Sequence, residues 1–232
     1  MTKLHNESET CSVCEHPSDH ISIMSTNQMG YPDLDSRPPR MMRSTMAYWV
    51  RRCPSCGYCA PHLSESESQT RQIIQPEPYQ QQLKHSAYPE LANSFLCHSM
   101  IAEQMGDYPT AGWHAIYAAW ACDDSRAKES AISCRQRALL IFQMVRAKRN
   151  TFAQEVGLEE VIMADLLRRT EQFDQVDIVC QEGLKQNPRE IIREMLDAQL
   201  FFAHRQDTGS YSLEIARKII GTAAPLRNKG AG

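Results

Sequence analysis

The sequence predicts a mainly α-helical fold class, in which a small zinc-ribbon-like N-terminal module leads into a tetratricopeptide-like helical repeat domain. Two CxxC motifs, each able to supply a pair of thiolates to a metal, lie before residue 57. From about residue 80 onward, apolar residues recur every three or four positions, which is the period of amphipathic helices. Short turns separate two pairs of these segments, as in helical hairpins.

The N-terminal part is rich in Pro, Ser, Arg and Cys, and no helical apolar period in it lasts more than a turn or two. A domain of this size with few apolar residues usually needs a metal or a partner surface for stability. The polar stretch at 64–78 is typical of a connector followed by Pro-marked turns. We therefore predict a zinc-binding module at 1–75 and a tetratricopeptide-like α-helical domain at 76–232.

The two CxxC motifs predict one structural zinc site in this module. Cys11 and Cys14 form the first motif, and Cys53 and Cys56 form the second. Gly57 follows the second motif, where a tight turn requires a positive φ. Zn²⁺ prefers four tetrahedral ligands, and four thiolates leave no coordination position for water. The predicted Zn²⁺ is therefore structural and not hydrolytic, and its binding energy replaces a missing apolar core.

The cysteine pattern leaves other metal and thiol chemistries open. Cys59 extends the second motif to CxxCxxC, which with a fourth thiolate could hold an iron–sulfur cluster. A redox dithiol at Cys53 and Cys56 is less favoured, because no thioredoxin-type strand–helix pattern follows. Side chains that could replace one of the four ligands are Cys59, His16, His20 and His62. Cysteines on predicted apolar helix faces, expected to be small buried hydrophobes, are Cys97, Cys122, Cys134 and Cys180.

Apolar periodicity predicts a series of helices in the second part of the chain. The predicted helices are 89–105, 110–122, 125–148, 158–169, 174–186 and 190–204. Two of the resulting hairpins have corresponding turns, and a unit of about 34 residues is the tetratricopeptide spacing. The match to that repeat is partial, because Glu171 stands where the repeat usually has a turn glycine. An irregular all-helical bundle is the alternative fold.

Three segments together resemble the bacterial family catalogued as domain of unknown function 2225. They are GYPDLDSRPP at 30–39, MAYWV at 46–50 and CPSCGY at 53–58. The resemblance implies an N-terminal CxxC, a loop, an aromatic strand entering CPxCGY, and tetratricopeptide-like helices. It also implies that Cys11 and Cys14 pair with Cys53 and Cys56, and it supplies no activity. Cys59 departs from the family, which often has a small residue there, so the resemblance implies that this thiol is not a ligand.

The loop between the two CxxC motifs is a second candidate site. Its charged residues are Asp33, Asp35, Arg37, Arg40 and Arg43, just ahead of a predicted strand at 48–52. Arginine forks bind phosphate or carboxylate groups in a bidentate manner, so the loop could recognise a phosphate or an acidic motif. We favour the structural interpretation, in which an aspartate pairs with Arg37 and fixes the loop over the zinc knuckles.

Charge and motifs narrow the function classes. The formal net charge is −3, and residues 1–76 contain eight acidic and seven basic side chains, so the charge does not favour nucleic-acid binding. The chain shows no apolar run of membrane-spanning length and no export signal, so we expect a cytoplasmic protein. Walker A, GxGxxG, GxSxG and HExxH motifs are absent from the sequence, and no catalytic residue is predicted.

The sequence therefore predicts a non-enzymatic, zinc-stabilised scaffold or adaptor whose helical domain binds a protein partner. The alternative is a nucleic-acid-associated zinc-ribbon factor, for which Arg51 and Arg52 would extend a basic strip. A third possibility is an iron–sulfur or thiol redox protein. The sequence predicts neither the identity of the partner nor the oligomeric state.

Overall fold

The computed structural model describes residues 2–223, and most of them are helical. The predicted mainly α-helical fold is confirmed, whereas the type of repeat stays a prediction. The chain divides into two compact units. Unit 1 contains the chain up to Met29 together with Arg40–Phe152, and unit 2 contains Gly30–Pro39 together with the described residues from Ala153 onward. The boundaries of these units differ from those of the predicted domains at 1–75 and 76–232. The predicted domain division stays a prediction.

Two β-hairpins lie in unit 1, and each has a CxxC motif at its tip. The first pairs β1 (Lys3–Thr10) with β2 (Pro17–Ser25), and the second pairs β3 (Arg51–Arg52) with β4 (Cys59–Ala60). The predicted strand at 48–52 is wrong in its first half, because Met46–Tyr48 forms a 3₁₀ turn. The Tyr48 and Trp49 backbone N–H groups donate to the Thr45 and Met46 carbonyls within that turn, which leaves only two residues for strand pairing.

Six helices complete unit 1. They are α1 (Arg40–Arg43), α2 (Thr70–Ile74), α3 (Glu77–Leu83), α4 (Glu90–Gln104), α5 (Tyr108–Asp124) and α6 (Lys128–Ala147). The longest three match their predicted bounds to within three residues, and α5 packs against both α4 and α6. α2 and α3 lie in and just after the segment at 64–78 that was predicted to be a polar connector. The sequence did not predict these two helices, because they are too short to show an apolar period. They still bury Ile74, Tyr79 and Leu83.

The core between α5 and α6 depends on a close approach of the two helices. Gly112 of α5 faces Phe142 of α6, and a Cβ at Gly112 would lie 2.2 Å from the Phe142 ring. Phe142 is fully buried and stacks on Phe152 at a centroid distance of 3.8 Å. Trp113 donates its indole N–H to the Phe152 carbonyl at 2.8 Å, which ties the segment after α6 back onto α5.

Unit 2 is built from α7 (Leu158–Arg169), α8 (Phe173–Lys185), α9 (Glu190–Ala203) and α10 (Leu213–Ala223). α9 packs against both α7 and α8, so each helix of the α7–α8 hairpin also contacts the helix that follows the hairpin. The first three helices lie within one residue of their predicted bounds. None of the helices described between residues 2 and 223 is long and apolar enough to cross a membrane.

The loop Gly30–Pro39 belongs to unit 2 although it lies between the two CxxC motifs in sequence. Asp33 forms an isolated antiparallel bridge with Ser212, and the Leu34 N–H donates to the Tyr211 carbonyl at 2.9 Å. Leu34 is buried. The Gln199 amide of α9 donates to the Leu34 carbonyl at 3.2 Å. The loop is therefore an integral part of the packing of unit 2.

Charged residues of this loop are buried and paired. The Asp35 carboxylate accepts the Arg37 backbone N–H at 3.1 Å and lies 3.7 Å from the Arg169 guanidinium of α7. Both contacts lie within unit 2, and the predicted side-chain pairing with Arg37 and the position of the loop over the knuckles stay predictions. Asp33, Asp35 and Arg37 are all buried, so they are not a free recognition surface.

The turns after α4, α5, α6, α7 and α9 share one left-handed geometry. Each has one residue with positive φ, namely Gly106, Arg126, Arg149, Glu171 and Gln206. The next residue donates its N–H to a carbonyl five positions back, as Gln172 does to Leu167 at 2.9 Å. This is the Schellman ending of a helix, which glycine adopts most easily. Glu171 therefore adopts the left-handed conformation of the turn glycine that the tetratricopeptide pattern usually has at this position.

Candidate metal centre

The four cysteine sulfurs of the two CxxC motifs meet at one point. All four Sγ atoms lie within 4.8 Å of one another, with Cys11–Cys56 at 3.8 Å and Cys14–Cys53 at 3.5 Å. These distances exceed the length of a disulfide bond, about 2.05 Å, and all four cysteines are free thiols. A tetrahedron with a metal–sulfur distance of about 2.3 Å has edges of about 3.8 Å. The four sulfurs therefore fit a tetrahedral S₄ metal such as zinc or iron.

The first knuckle folds back on itself through its backbone. The Cys11 N–H donates to the His16 carbonyl at 3.0 Å, and the Glu15 N–H donates to the Cys11 carbonyl at 2.7 Å. Glu15 has φ of 61°, a left-handed conformation that is uncommon for a residue with a side chain. The chain can then turn sharply enough for both thiols to point at one atom.

The second knuckle repeats the same bonds at the same spacing. The Cys53 N–H donates to the Tyr58 carbonyl at 2.8 Å, and the Gly57 N–H donates to the Cys53 carbonyl at 3.0 Å. Gly57, at the position that corresponds to Glu15, has φ of 76°, as the sequence predicts for this turn. Two segments from separate parts of the chain thus adopt one conformation around a shared centre.

Backbone amides point at the sulfurs. The His16 N–H donates to the Cys14 thiol and the Tyr58 N–H donates to the Cys56 thiol, so each knuckle offers an amide to its second sulfur. Amide donors to the sulfurs stabilise thiolates and orient them toward a metal. Cys11 and Cys53 are fully buried, while Cys14 and Cys56 are half-buried.

The protonation of the four thiols is shared. Burial opposes ionisation of Cys14, but the His16 N–H and the neighbouring thiols of Cys56 and Cys53 outweigh it and lower the pKa of Cys14 to about 7. Burial raises the pKa of Cys11 and of Cys56. The Cys14 thiolate therefore forms readily at neutral pH, whereas deprotonation of Cys11 and Cys56 is opposed by burial and would be favoured by a bound cation.

A buried ion cluster joins the two hairpins next to the sulfurs. The Arg51 guanidinium of β3 lies 2.6 Å from the Glu9 carboxylate and 3.0 Å from Glu7, both on β1. Glu9 also accepts the Leu63 backbone N–H at 3.0 Å. Burial opposes ionisation of Glu9, but the hydrogen bonds from Arg51 and Leu63 keep its pKa below the usual value. The cluster fixes the hairpins relative to each other.

Two backbone contacts attach the first knuckle to the segment after β4. Both the N–H and the hydroxyl of Ser12 donate to the Leu63 carbonyl, at 2.8 and 3.0 Å. The Arg71 guanidinium of α2 donates to the Val13 carbonyl. The residues between the cysteines of the first motif are therefore held by the chain that follows the second.

The rival ligands lie outside the cluster. Cys59 is buried, and its Sγ lies 3.4 Å from the Gly57 carbonyl and hydrogen-bonds the Cys97 thiol. His20 bonds the Ser18 hydroxyl at 2.8 Å, and His62 lies 3.7 Å from Glu9. Within residues 2–223, the four predicted cysteines form the one group of three or more metal-ligating side chains. Cys97, Cys122, Cys134 and Cys180 are buried as predicted.

Helix α3 supports the second hairpin through a residue that the sequence analysis did not single out. The Tyr79 hydroxyl donates to the Gly57 carbonyl at 2.9 Å and accepts the Cys59 N–H at 3.2 Å. The Cys59 carbonyl also contacts His98 Nδ1 of α4 at 3.0 Å. Tyr79, Arg51 and Glu9 carry no motif, so their roles follow only from contacts between distant parts of the chain.

No protein-family model, no curated protein and no solved structure matches this chain. The centre is therefore interpreted from its own chemistry, which is that of four clustered thiols in two knuckles of the same conformation. These four residues form a candidate metal site with a closed S₄ donor set.

Proposed function

We propose that Cys11, Cys14, Cys53 and Cys56 bind one structural Zn²⁺, and that the protein is a non-enzymatic, zinc-stabilised scaffold or adaptor. The observation that carries the zinc proposal is the spacing of the sulfurs, 3.5 and 3.8 Å for the two cross-knuckle pairs. Four thiolates saturate a tetrahedral ion, so a metal held here has no open position for water or substrate.

The surroundings of the centre favour a structural role. The strands β3 and β4 have two residues each, and β1 and β2 are mostly exposed, so hairpin pairing and side-chain burial alone stabilise this region weakly. A metal that joins both hairpin tips would supply folding free energy in place of an apolar core.

The helical hairpins support the interaction part of the proposal. The packing of α9 against both α7 and α8 is the neighbour packing of a helical repeat, and such repeats leave a surface for a peptide or helix. We infer a tetratricopeptide-like arrangement and kinship with domain of unknown function 2225 from this packing and from the motifs at 30–58. The nine free cysteines fit a reducing compartment such as the cytoplasm.

The structure weakens the case for the alternative function, a nucleic-acid-associated factor, because the arginines of its basic strip are already paired with carboxylates. Arg51 is buried between Glu7 and Glu9, and Arg52 lies 3.5 Å from Glu90. A basic strip through these residues would therefore have to break ion pairs before it could bind phosphate.

Metal analysis of anaerobically purified protein tests the zinc proposal. We expect a colourless protein with one zinc per chain by inductively coupled plasma mass spectrometry, and loss of that zinc in Cys56→Ser. The matched control is Cys59→Ser, which should keep one zinc because Cys59 lies outside the cluster. A brown protein with charge-transfer absorbance would instead establish an iron–sulfur centre.

Affinity capture tests the interaction part. The intact protein and the Cys53→Ser/Cys56→Ser variant serve as paired baits, and we expect a specific protein partner for the intact chain. Absence of a partner with either bait contradicts the scaffold assignment. Salt-dependent retention of RNA or DNA would favour the alternative function, because phosphate contacts release counterions.

A further inference from the structure

The outward face of α6 carries an exposed stripe without charge. Between residues 132 and 147 its exposed side chains are Ile132, Ser133, Gln136, Leu140, Gln143, Met144 and Ala147. Leu140 lies in the middle of this stripe and is 63% exposed, and Ile132 and Met144 are each 38% exposed. Exposed helix faces are usually charged, and a contiguous uncharged face with apolar residues marks an interaction surface.

A groove runs along one side of the α6 stripe. It has a volume of about 750 Å³ and is lined by Leu140, Met144 and Ala147 together with Glu103 and Arg137. The Arg137 guanidinium donates to the Glu103 carboxylate at 2.6 Å, so the polar wall of the groove is already paired. The groove can therefore take an apolar side chain beside Leu140 without leaving a charge unpaired.

The C-terminal end of the α6 stripe is basic. Lys148 and Arg149 lie exposed there, and the sequence has no acidic residue at 130–154. The N-terminal end, at 124–129, has exposed residues of both signs. The exposed positive charge is thus concentrated at the C-terminal end of the uncharged face.

We propose that this face of α6 binds an acidic amphipathic helix of a partner protein. Apolar side chains of that helix would cover Leu140 and Met144 and enter the groove, and an acidic end of the helix would meet Lys148 and Arg149 at the C-terminal end of the stripe. The proposal rests on the scaffold function above and names the chemistry of its partner. Opposite charge favours an acidic helix over a second copy of this chain, whose α6 is equally basic.

The same residues argue against two other classes of ligand. Single-stranded nucleic acid stacks its bases on aromatic side chains, and the α6 stripe has none. A helix that lies in a membrane surface inserts large apolar residues, whereas this stripe contains two glutamines and a serine.

Fluorescence anisotropy with two synthetic peptides tests the proposal on the full-length, zinc-loaded chain. The first peptide is a labelled amphipathic helix of four turns with leucines on one face and glutamates toward one end, and the second has lysines in place of the glutamates. We expect the acidic peptide to bind at least tenfold more tightly than the basic one. Leu140→Ser should weaken the acidic peptide by about tenfold, because the leucine loses most of its apolar contact.

The matched control is Ile178→Ser on α8, since Ile178 is as exposed as Leu140, at 62%. It should leave peptide affinity unchanged. Equal binding of both peptides, no binding of the acidic peptide, or an equal effect of Ile178→Ser would overturn the proposal. The proposal would also be overturned if the protein self-associates in light scattering and Leu140→Ser abolishes that self-association. Binding to phosphatidylserine vesicles that is lost in Leu140→Ser would overturn it as well.

A further comparison separates this inference from the proposed function. Leu140→Ser should retain one zinc per chain, because the residue lies on an exposed helix face far in sequence from the four clustered cysteines of the two CxxC motifs. If a partner captured by the intact chain is captured equally by Leu140→Ser, the scaffold function stands and the α6 assignment fails. If no partner is captured at all and no zinc is bound, the proposed function itself fails.

Discussion

The two CxxC knuckles share one backbone conformation but lie in different surroundings. The first ends a hairpin of eight- and nine-residue strands, whose side chains are mostly exposed, including Leu4 and Met24. The second ends a hairpin with two-residue strands that is buried against α3 and α4. There a Cβ added to Gly57 would lie 2.3 Å from Leu83, whereas Glu15 at the matching position is exposed.

This difference distinguishes the backbone conformation that a metal site requires from the side-chain restrictions that the surrounding helices add. Both knuckles need a CxxC spacing and one left-handed residue so that two sulfurs can converge. Only the second also needs that residue to lack a side chain. The conformation of a knuckle therefore follows from its sulfur chemistry, and its tolerance of substitution follows from the neighbouring helices.

Removal of one ligand should have the largest effect, and it should affect both knuckles alike. Cys53→Ser takes one thiolate from the second knuckle, and metal binding in zinc-finger peptides contributes about 10–16 kcal/mol at neutral pH. We expect residues 3–25 and 51–60 to lose amide protection together in hydrogen exchange. Helices α7–α9 should keep theirs. Loss that is confined to the altered knuckle would show that each hairpin folds by itself.

Arg51→Met should have the next largest effect, because the two hairpins meet at this residue. The variant leaves the buried Glu9 carboxylate without its cation, which typically costs about 3–5 kcal/mol. Adding Glu9→Gln should recover much of that loss, since the amide oxygen can still accept the Leu63 N–H. Urea unfolding of the zinc-loaded protein measures the differences.

Arg52→Met is the control for that experiment. Arg52 is the next residue along β3, is half-buried, and pairs at 3.5 Å with a Glu90 carboxylate that is exposed. Exposed pairs of this kind contribute less than about 1 kcal/mol. Equal destabilisation by the two arginine variants would mean that the ion cluster does not hold the hairpins together.

Gly57→Ala should destabilise the protein by about 2–5 kcal/mol. The alanine would have to adopt a left-handed φ, which costs about 1–2 kcal/mol, and displace Leu83, with overpacking costs of about 1–3 kcal/mol. Glu15→Ala at the matching position should change the unfolding free energy by less than about 0.5 kcal/mol. Equal effects in urea unfolding would contradict the role assigned to Leu83.

The sequence predicted features with a local pattern better than features that depend on distant contacts. The bounds of α7 match the prediction, because an apolar face repeats over its whole length. The β1–β2 hairpin was missed since its exposed strands lack apolar alternation. Membership of the loop Gly30–Pro39 in unit 2 depends on contacts such as Gln199 with Leu34, which are 165 residues apart.

The candidate site divides in the same way. The spacing of the cysteines identified the four sulfurs that meet, and Gly57 has the positive φ expected after the second motif. The left-handed Glu15 was not predicted, because no glycine or asparagine marks that turn. The sequence analysis named Arg51 only as part of a basic strip in the alternative function, and only the fold shows that it is buried and paired with Glu7 and Glu9.

Glu15→Gly should give a small effect of the opposite sign. Glycine removes the steric cost of a left-handed φ, about 1–2 kcal/mol, but adds chain entropy to the unfolded state, so we expect a net gain of about 0.5–1 kcal/mol. Glu171→Gly, at a helix turn with φ of 64°, should give a similar gain without involving the metal. If Glu171→Gly stabilises the zinc-loaded protein in urea unfolding while Glu15→Gly destabilises it, the Glu15 side chain itself supports the first knuckle. The two knuckles would then differ in their own chemistry and not only in their surroundings.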